Sequence, residues 1–174
     1  FSNFAMSGID KQHFGLEVAA SIPLYAGLAL NGAISWGQFT YDSNPDYVQI
    51  QDNSGEIKNE GKVYWKNFRV ESTPQTAMNI GLSYRSRNNI YASVDMNYYN
   101  NMYLSMSPLY RTDAVLSRNM SAEDIRELRH QEKFNSACVF NASVGKNWYI
   151  NRAYTLGFSL EVKNLLNNLS LIHI

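Results

Sequence analysis

From Tyr154 onward the chain alternates almost without interruption, through the stretch Tyr154 to Asn168 around which the other segments are organised. Tyr154, Leu156, Phe158, Leu160 and Val162 fall on one face of an extended strand, and Thr155, Gly157, Ser159, Glu161 and Lys163 on the other. One face is apolar; the other is small, polar or charged. At about 3.3 Å per residue the run is roughly 30 to 35 Å long, longer than the usual soluble strand and about what a tilted strand needs to cross a bilayer.

The same period of two recurs in five further runs, paired across short turns. Phe14 to Ile22 and Leu28 to Trp36 predict one hairpin around Pro23 to Gly27, and Thr76 to Tyr84 and Ile90 to Met102 a second around Arg85 to Asn89. Phe134 to Val144, turning through Lys146 to Arg152, pairs with the organising strand in a third. Two long polar connections separate these hairpins, Asp42 to Pro74 and Leu104 to Lys133. Within the first, Val63 to Val70 predicts a short strand, part of a hairpin in the loop and kept inside it so that short turns and long loops alternate. The second holds one short helix, Ser121 to His130, in which Asp124 stands three residues after Ser121 as in a capping box. That helix is polar nearly all round, which predicts a solvated loop element.

Composition sharpens this picture. The chain of 174 residues holds 12 Tyr, 8 Phe and 3 Trp with only 17% charged residues, a mixture that favours strands. Its net charge of zero gives no electrostatic footprint for nucleic acid. The single cysteine, Cys138, excludes an internal disulfide framework and reads as a packing residue.

Long strands, a wet face opposite a greasy one, and short turns alternating with long loops are the signature of a transmembrane β-barrel. The charges within the runs, Glu17, Asp95, Glu161 and Lys163, all fall opposite the apolar face, where they avoid the cost of facing lipid. Aromatics gather at both ends: Tyr25, Tyr84, Tyr91, Trp148, Tyr149 and Tyr154 by the short turns, and Trp36, Phe39, Tyr41, Tyr99, Tyr103 and Phe134 by the long loops. The fold class is therefore all-β, read as a partial transmembrane antiparallel barrel of about six long strands. Six strands cannot close the smallest membrane barrel, which needs about eight, so this reading predicts further strands outside the chain. A soluble β-sandwich used for binding or adhesion is the alternative, since its strands also carry one apolar face.

Several pieces in order resemble the C-terminal barrel of TonB-dependent outer-membrane receptors, particularly those of Bacteroidetes-type bacteria. They are Tyr64-Trp65-Lys66-Asn67-Phe68-Arg69-Val70 with Thr73-Pro74-Gln75-Thr76, then Gly81-Leu82-Ser83-Tyr84-Arg85-Ser86 and Asn97-Tyr98-Tyr99. Glu132-Lys133-Phe134, Ala142-Ser143-Val144-Gly145-Lys146 and Val162-Lys163-Asn164-Leu165-Leu166-Asn167-Asn168 continue the series. The resemblance implies a section, residues 1–168, of a 22-stranded plugged barrel in the outer membrane, importing a siderophore, cobalamin, glycan or peptide with energy from the TonB complex. It also implies an N-terminal plug domain and a TonB-binding segment outside this sequence. Residues 169–174 depart from the family pattern and read as a non-native tail. A passive porin-like channel is the other membrane reading.

Candidate chemistry is sparse. Asp42, Asp46, Asp52, Glu56 and Glu60 do not follow the calcium-loop template and read as solvated charge. His13, His130 and His173 share no metal-ligand spacing, and no nucleophile elbow or phosphate loop is present. The sequence predicts no enzyme, cofactor or metal. Ligand contacts are expected from the loop aromatics Tyr41, Tyr47, Tyr103 and Tyr110, because loops on a rigid scaffold commonly carry recognition.

Overall fold

The computed structural model describes residues 1–151 and 153–168; the tail expected at 169–174 lies outside the described residues. Among the described residues nine strands form two antiparallel sheets. β2 (Lys11–Pro23), β3 (Leu28–Tyr41), β6 (Thr76–Arg85), β7 (Ile90–Asn100), β8 (Ala137–Ile150) and β9 (Tyr154–Val162) make a six-stranded sheet in the order β2-β3-β6-β7-β8-β9. The three short strands β1 (Ser2–Ser7), β4 (Asp46–Gln51) and β5 (Ile57–Lys62) make the other, in the order β1-β4-β5. The chain is therefore all-β, with six long strands in the order the alternation predicts. Two compact units divide it: a loop unit of residues 1–14, 37–73 and 102–134, and a sheet unit of residues 15–36, 74–101 and the described residues from 135 onward.

In the sheet unit, register aligns the two faces across neighbouring strands. Leu30 pairs with Leu82, Leu82 with Val94, Val94 with Ala142 and Ala142 with Val162, an apolar row five strands wide. A slip of one residue at any pairing would bring polar side chains into that row. The apolar face is open: Leu82 is 47% and Val94 54% exposed, and Ile34, Ile80, Val144, Leu156, Phe158 and Leu160 are exposed as well.

The opposite face is a hydrogen-bonded lattice. Asp95 accepts from the amides of Asn97 and Asn141, both at 2.8 Å, and Asn79 donates to Asn97 at 2.9 Å. Asn31 accepts from Ser21 at 2.7 Å and donates to Ser83 at 3.0 Å, while the hydroxyls of Ser93 and Ser143 meet at 2.7 Å. Glu17 accepts from Ser35 at 3.1 Å. Polar side chains here satisfy one another across strands, so the face is ordered as well as wet.

The first short turn has a clear local cause. Ala26 and Gly27 both take positive φ, 51° and 85°, and Leu28 N–H returns to Tyr25 O at 3.0 Å, the type I′ geometry that matches strand twist. A side chain at Gly27 would also run into the backbone of Arg85.

Four expectations need correction. The third turn is not Lys146 to Arg152: β8 runs on to Ile150 and β9 begins at Tyr154. Lys146 thus lies within a strand on the apolar face, where its ammonium rests over the Trp148 ring at 5.2 Å. The organising strand ends at Val162, because Asn164 and Asn167 take positive φ and turn the chain. Val63 to Val70 is not a strand, since Asn67 at φ 72° breaks the extended backbone and leaves isolated bridges at Val63 and Arg69. The loop hairpin is instead β4–β5, around the turn beginning at Asp52.

The loop unit has its own core. Tyr41, Tyr47, Val63, Trp65 and Val70 are buried, with Phe4, Met6, Phe39, Phe68 and Met106 packed against them. Phe39 and Tyr41, expected in an aromatic band, serve this core.

Candidate functional site

The loop unit contains a cleft of about 820 Å³. One wall is the irregular segment 64–69, which short-range polar contacts hold in place. Asn44 Oδ1 accepts from Trp65 N–H at 3.0 Å and Lys66 N–H at 2.9 Å. Gln131 imitates a strand partner: its carbonyl accepts from Arg69 N–H at 2.9 Å, and its amide donates to Arg69 O at 2.8 Å and to Leu104 O at 3.3 Å. Side chains therefore replace the missing sheet ladder along this wall.

Two helices supply the facing side, α1 (Asp113–Leu116) and α2 (Ala122–Arg129). Ser121 caps α2 in a full capping box, its hydroxyl accepting from Asp124 N–H at 3.2 Å and its own N–H donating to Asp124 Oδ2 at 2.9 Å. The box expected from Ser121 and Asp124 is present. The hydrogen bonds from Ser121 hold the Asp124 carboxyl below the ordinary carboxylate range. α2 is less uniformly polar in use than expected: Ile125 and Leu128, three apart on one side, line the cleft with Leu116 of α1. The expectation of a single helix is also corrected, by α1 and by a 3₁₀ turn at Pro108–Arg111.

Arg111 ends that turn and is 9% exposed. Its guanidinium carbon lies 5.4 Å from the centre of the Phe68 ring, and Nη1 donates to Ser107 O at 3.1 Å. Nε is buried without a hydrogen-bond partner, and no ion pair reaches the group among the described residues. Burial pushes its pKa down, yet an arginine stays charged at any physiological pH. Lys66, Arg69 and Arg129 also line the cleft, and no carboxylate does among the described residues. Lys66 leans to Asp42 at 3.5 Å, with both partners more than half exposed.

The four expected ligand tyrosines fall in three places. Tyr41 is 3% exposed, packs on Trp65 at 4.7 Å and donates to Glu71 at 2.7 Å. Tyr47 is 2% exposed, stacks on Phe4 at 5.1 Å and donates to Asp113 at 3.4 Å; burial, and then the Asp113 charge, raise its pKa. Both rings point into the core of the loop unit. Tyr103 lines the cleft, and Tyr110 is exposed without lining it. The cations of the cleft were not singled out from sequence, because they come from segments 66–69, 111 and 129 that only the fold brings together.

His13 packs against Phe39 at 4.8 Å, and His130 lies 3.5 Å from Glu132. Comparison with protein-family models, with curated proteins and with solved structures gives no match to this chain.

Proposed function

We propose that the chain supplies six wall strands and two long surface loops to a transmembrane β-barrel of the outer membrane, belonging to a TonB-dependent receptor that imports a scarce nutrient. The observation that carries this reading is the register-matched apolar face, open across the sheet unit and backed by a polar lattice. An exposed apolar surface of this breadth is unfavourable in water and suited to hydrocarbon. Each of the six strands has 9 to 14 residues, enough to cross a bilayer when tilted. The edges of β2 and β9 would pair with further strands of a larger barrel, since six strands are too few to close one.

The receptor reading, as opposed to a passive channel, is supported by the ordered run of sequence pieces from Tyr64 to Asn168 that resemble such receptors. The two long connections, together with residues 1–14, also build a cored unit containing a cleft, a means of holding cargo. In this account the wall closes the backbone ladder, a plug domain outside the chain blocks the lumen, and the TonB complex supplies the energy. The cargo class is a siderophore, cobalamin, glycan or peptide.

Cell fractionation and uptake test it together. The protein is expected in the outer-membrane fraction, and uptake that depends on it is expected to stop when the proton gradient is collapsed. Recovery in the aqueous fraction would replace the barrel with a soluble β-sandwich. Uptake that persists without the gradient would replace the receptor with a passive pore.

A further inference from the structure

We propose that the cleft between segment 64–69 and α2 binds a small organic oxyanion carrying an apolar ring or chain, with Arg111 taking the oxyanion and Ile125 and Leu128 the apolar part. A buried charge is costly unless it is paired, and arginine is almost never buried without a partner. Arg111 has five N–H donors, of which one is engaged by Ser107 O, and no carboxylate of the described residues pairs with it. The Phe68 ring offsets only part of that cost. An oxyanion entering from the cleft would supply the missing counter-charge through the planar fork that suits carboxylate and phosphate.

The rest of the lining agrees with this chemistry. Lys66, which also leans to Asp42 at 3.5 Å, Arg69 and Arg129 bring the cations that line the cleft to four, and no acidic side chain is among the described lining residues. The field inside favours anions and disfavours cations. Leu116, Ile125 and Leu128 give the cleft an apolar side, and its volume of about 820 Å³ falls in the usual range for small-molecule sites. Neutral glycans and cationic peptides fit this lining poorly. That the anion is the imported cargo rests on the receptor reading; that it binds does not.

The full chain, held in zwitterionic detergent, is titrated with 2-naphthoate and with its neutral counterpart 2-naphthamide, each measured against protein-free micelles. The naphthoate is expected to bind saturably and the amide at least about tenfold more weakly, with naphthoate affinity falling as salt is raised. R111Q is expected to weaken naphthoate binding about tenfold, R129Q by a smaller factor, and K58Q, on β5 and outside the cleft lining, not at all. Arg129 is exposed, so R129Q and the comparison of the two probes still decide the matter if R111Q fails to fold. Equal affinity for the two probes, absence of saturable naphthoate binding, or naphthoate binding unchanged in both R111Q and R129Q would overturn the proposal. Each of those results leaves membrane fractionation unaffected, so failure of the site and failure of the barrel are told apart.

Discussion

Tyr91 lays its phenol ring over Gly145, its directly opposed partner on the neighbouring strand, so that a Cβ at position 145 would run into the ring. A strand glycine ordinarily weakens a sheet, because it packs nothing and gains backbone freedom on unfolding. Here the ring covers the glycine, which is buried, and the glycine gives the ring its seat. Gly145→Ala is expected to displace Tyr91 and cost about 1 kcal/mol, and Tyr91→Ala a similar amount. The double variant should lose less than the sum, because the two changes remove one contact. Denaturant unfolding of the four proteins measures this; strict additivity would show that the ring and glycine do not depend on each other.

Asp95 joins side chains of β7 and β8 directly, and through Asn97 reaches Asn79 of β6. Asp95→Ala leaves the amide groups of Asn97 and Asn141 without their acceptor, and Asn141 in turn accepts from Asn164 N–H at 3.1 Å in the turn after β9. A loss of about 1 to 3 kcal/mol is expected, with Asp95→Asn losing less because one acceptor oxygen remains. Unfolding midpoints of the two variants check the order. An Asp95→Ala protein as stable as the parent would mean that the lattice is ornamental.

The cap of α2 is expected to be pH-dependent. Hydrogen bonds from Ser121 lower the Asp124 carboxyl relative to its ordinary value of 3.8, so the folded helix favours the ionised form. Its contribution is fully present above that ordinary value and is lost as the pH falls through the lowered folded value. Cα chemical shifts of Ala122 to Arg129 should move toward random-coil values on acidification, and Asp124→Asn should flatten that response. Ser121→Ala should weaken the helix by about 1 kcal/mol at neutral pH.

The six long strands were legible in the sequence because apolar and polar residues alternate in them with period two over most of their length. β1, β4 and β5 were not legible. Ile57 to Lys62 carries one large apolar residue, and Ser2 to Ser7 turns only Phe4 and Met6 toward the core, too few positions to show a period. Val63 to Val70 misled for the opposite reason. Val63, Trp65, Phe68 and Val70 give the run a strand's β-branched and aromatic composition, but 63 and 65 are out of phase with 68 and 70, and all four fill the loop core from an irregular backbone that turns at Asn67. The cleft was legible only in fragments. Ile125 and Leu128 at helical spacing with Arg129 alongside hinted at a used face, whereas Arg111 acquires its meaning from burial against Phe68, which sequence does not display.

The most direct test of the barrel account compares two adjacent residues on opposite faces. Spin labels are placed singly at Val94 and at Ser93 in a Cys138→Ser background, in outer-membrane vesicles from cells producing the protein. The label at position 94 is expected to be relaxed strongly by oxygen dissolved in the bilayer and weakly by a water-soluble nickel chelate, and the label at position 93 the reverse. Chelate access at position 94 equal to or above that at position 93 would contradict a lipid-facing apolar side and with it the wall strand.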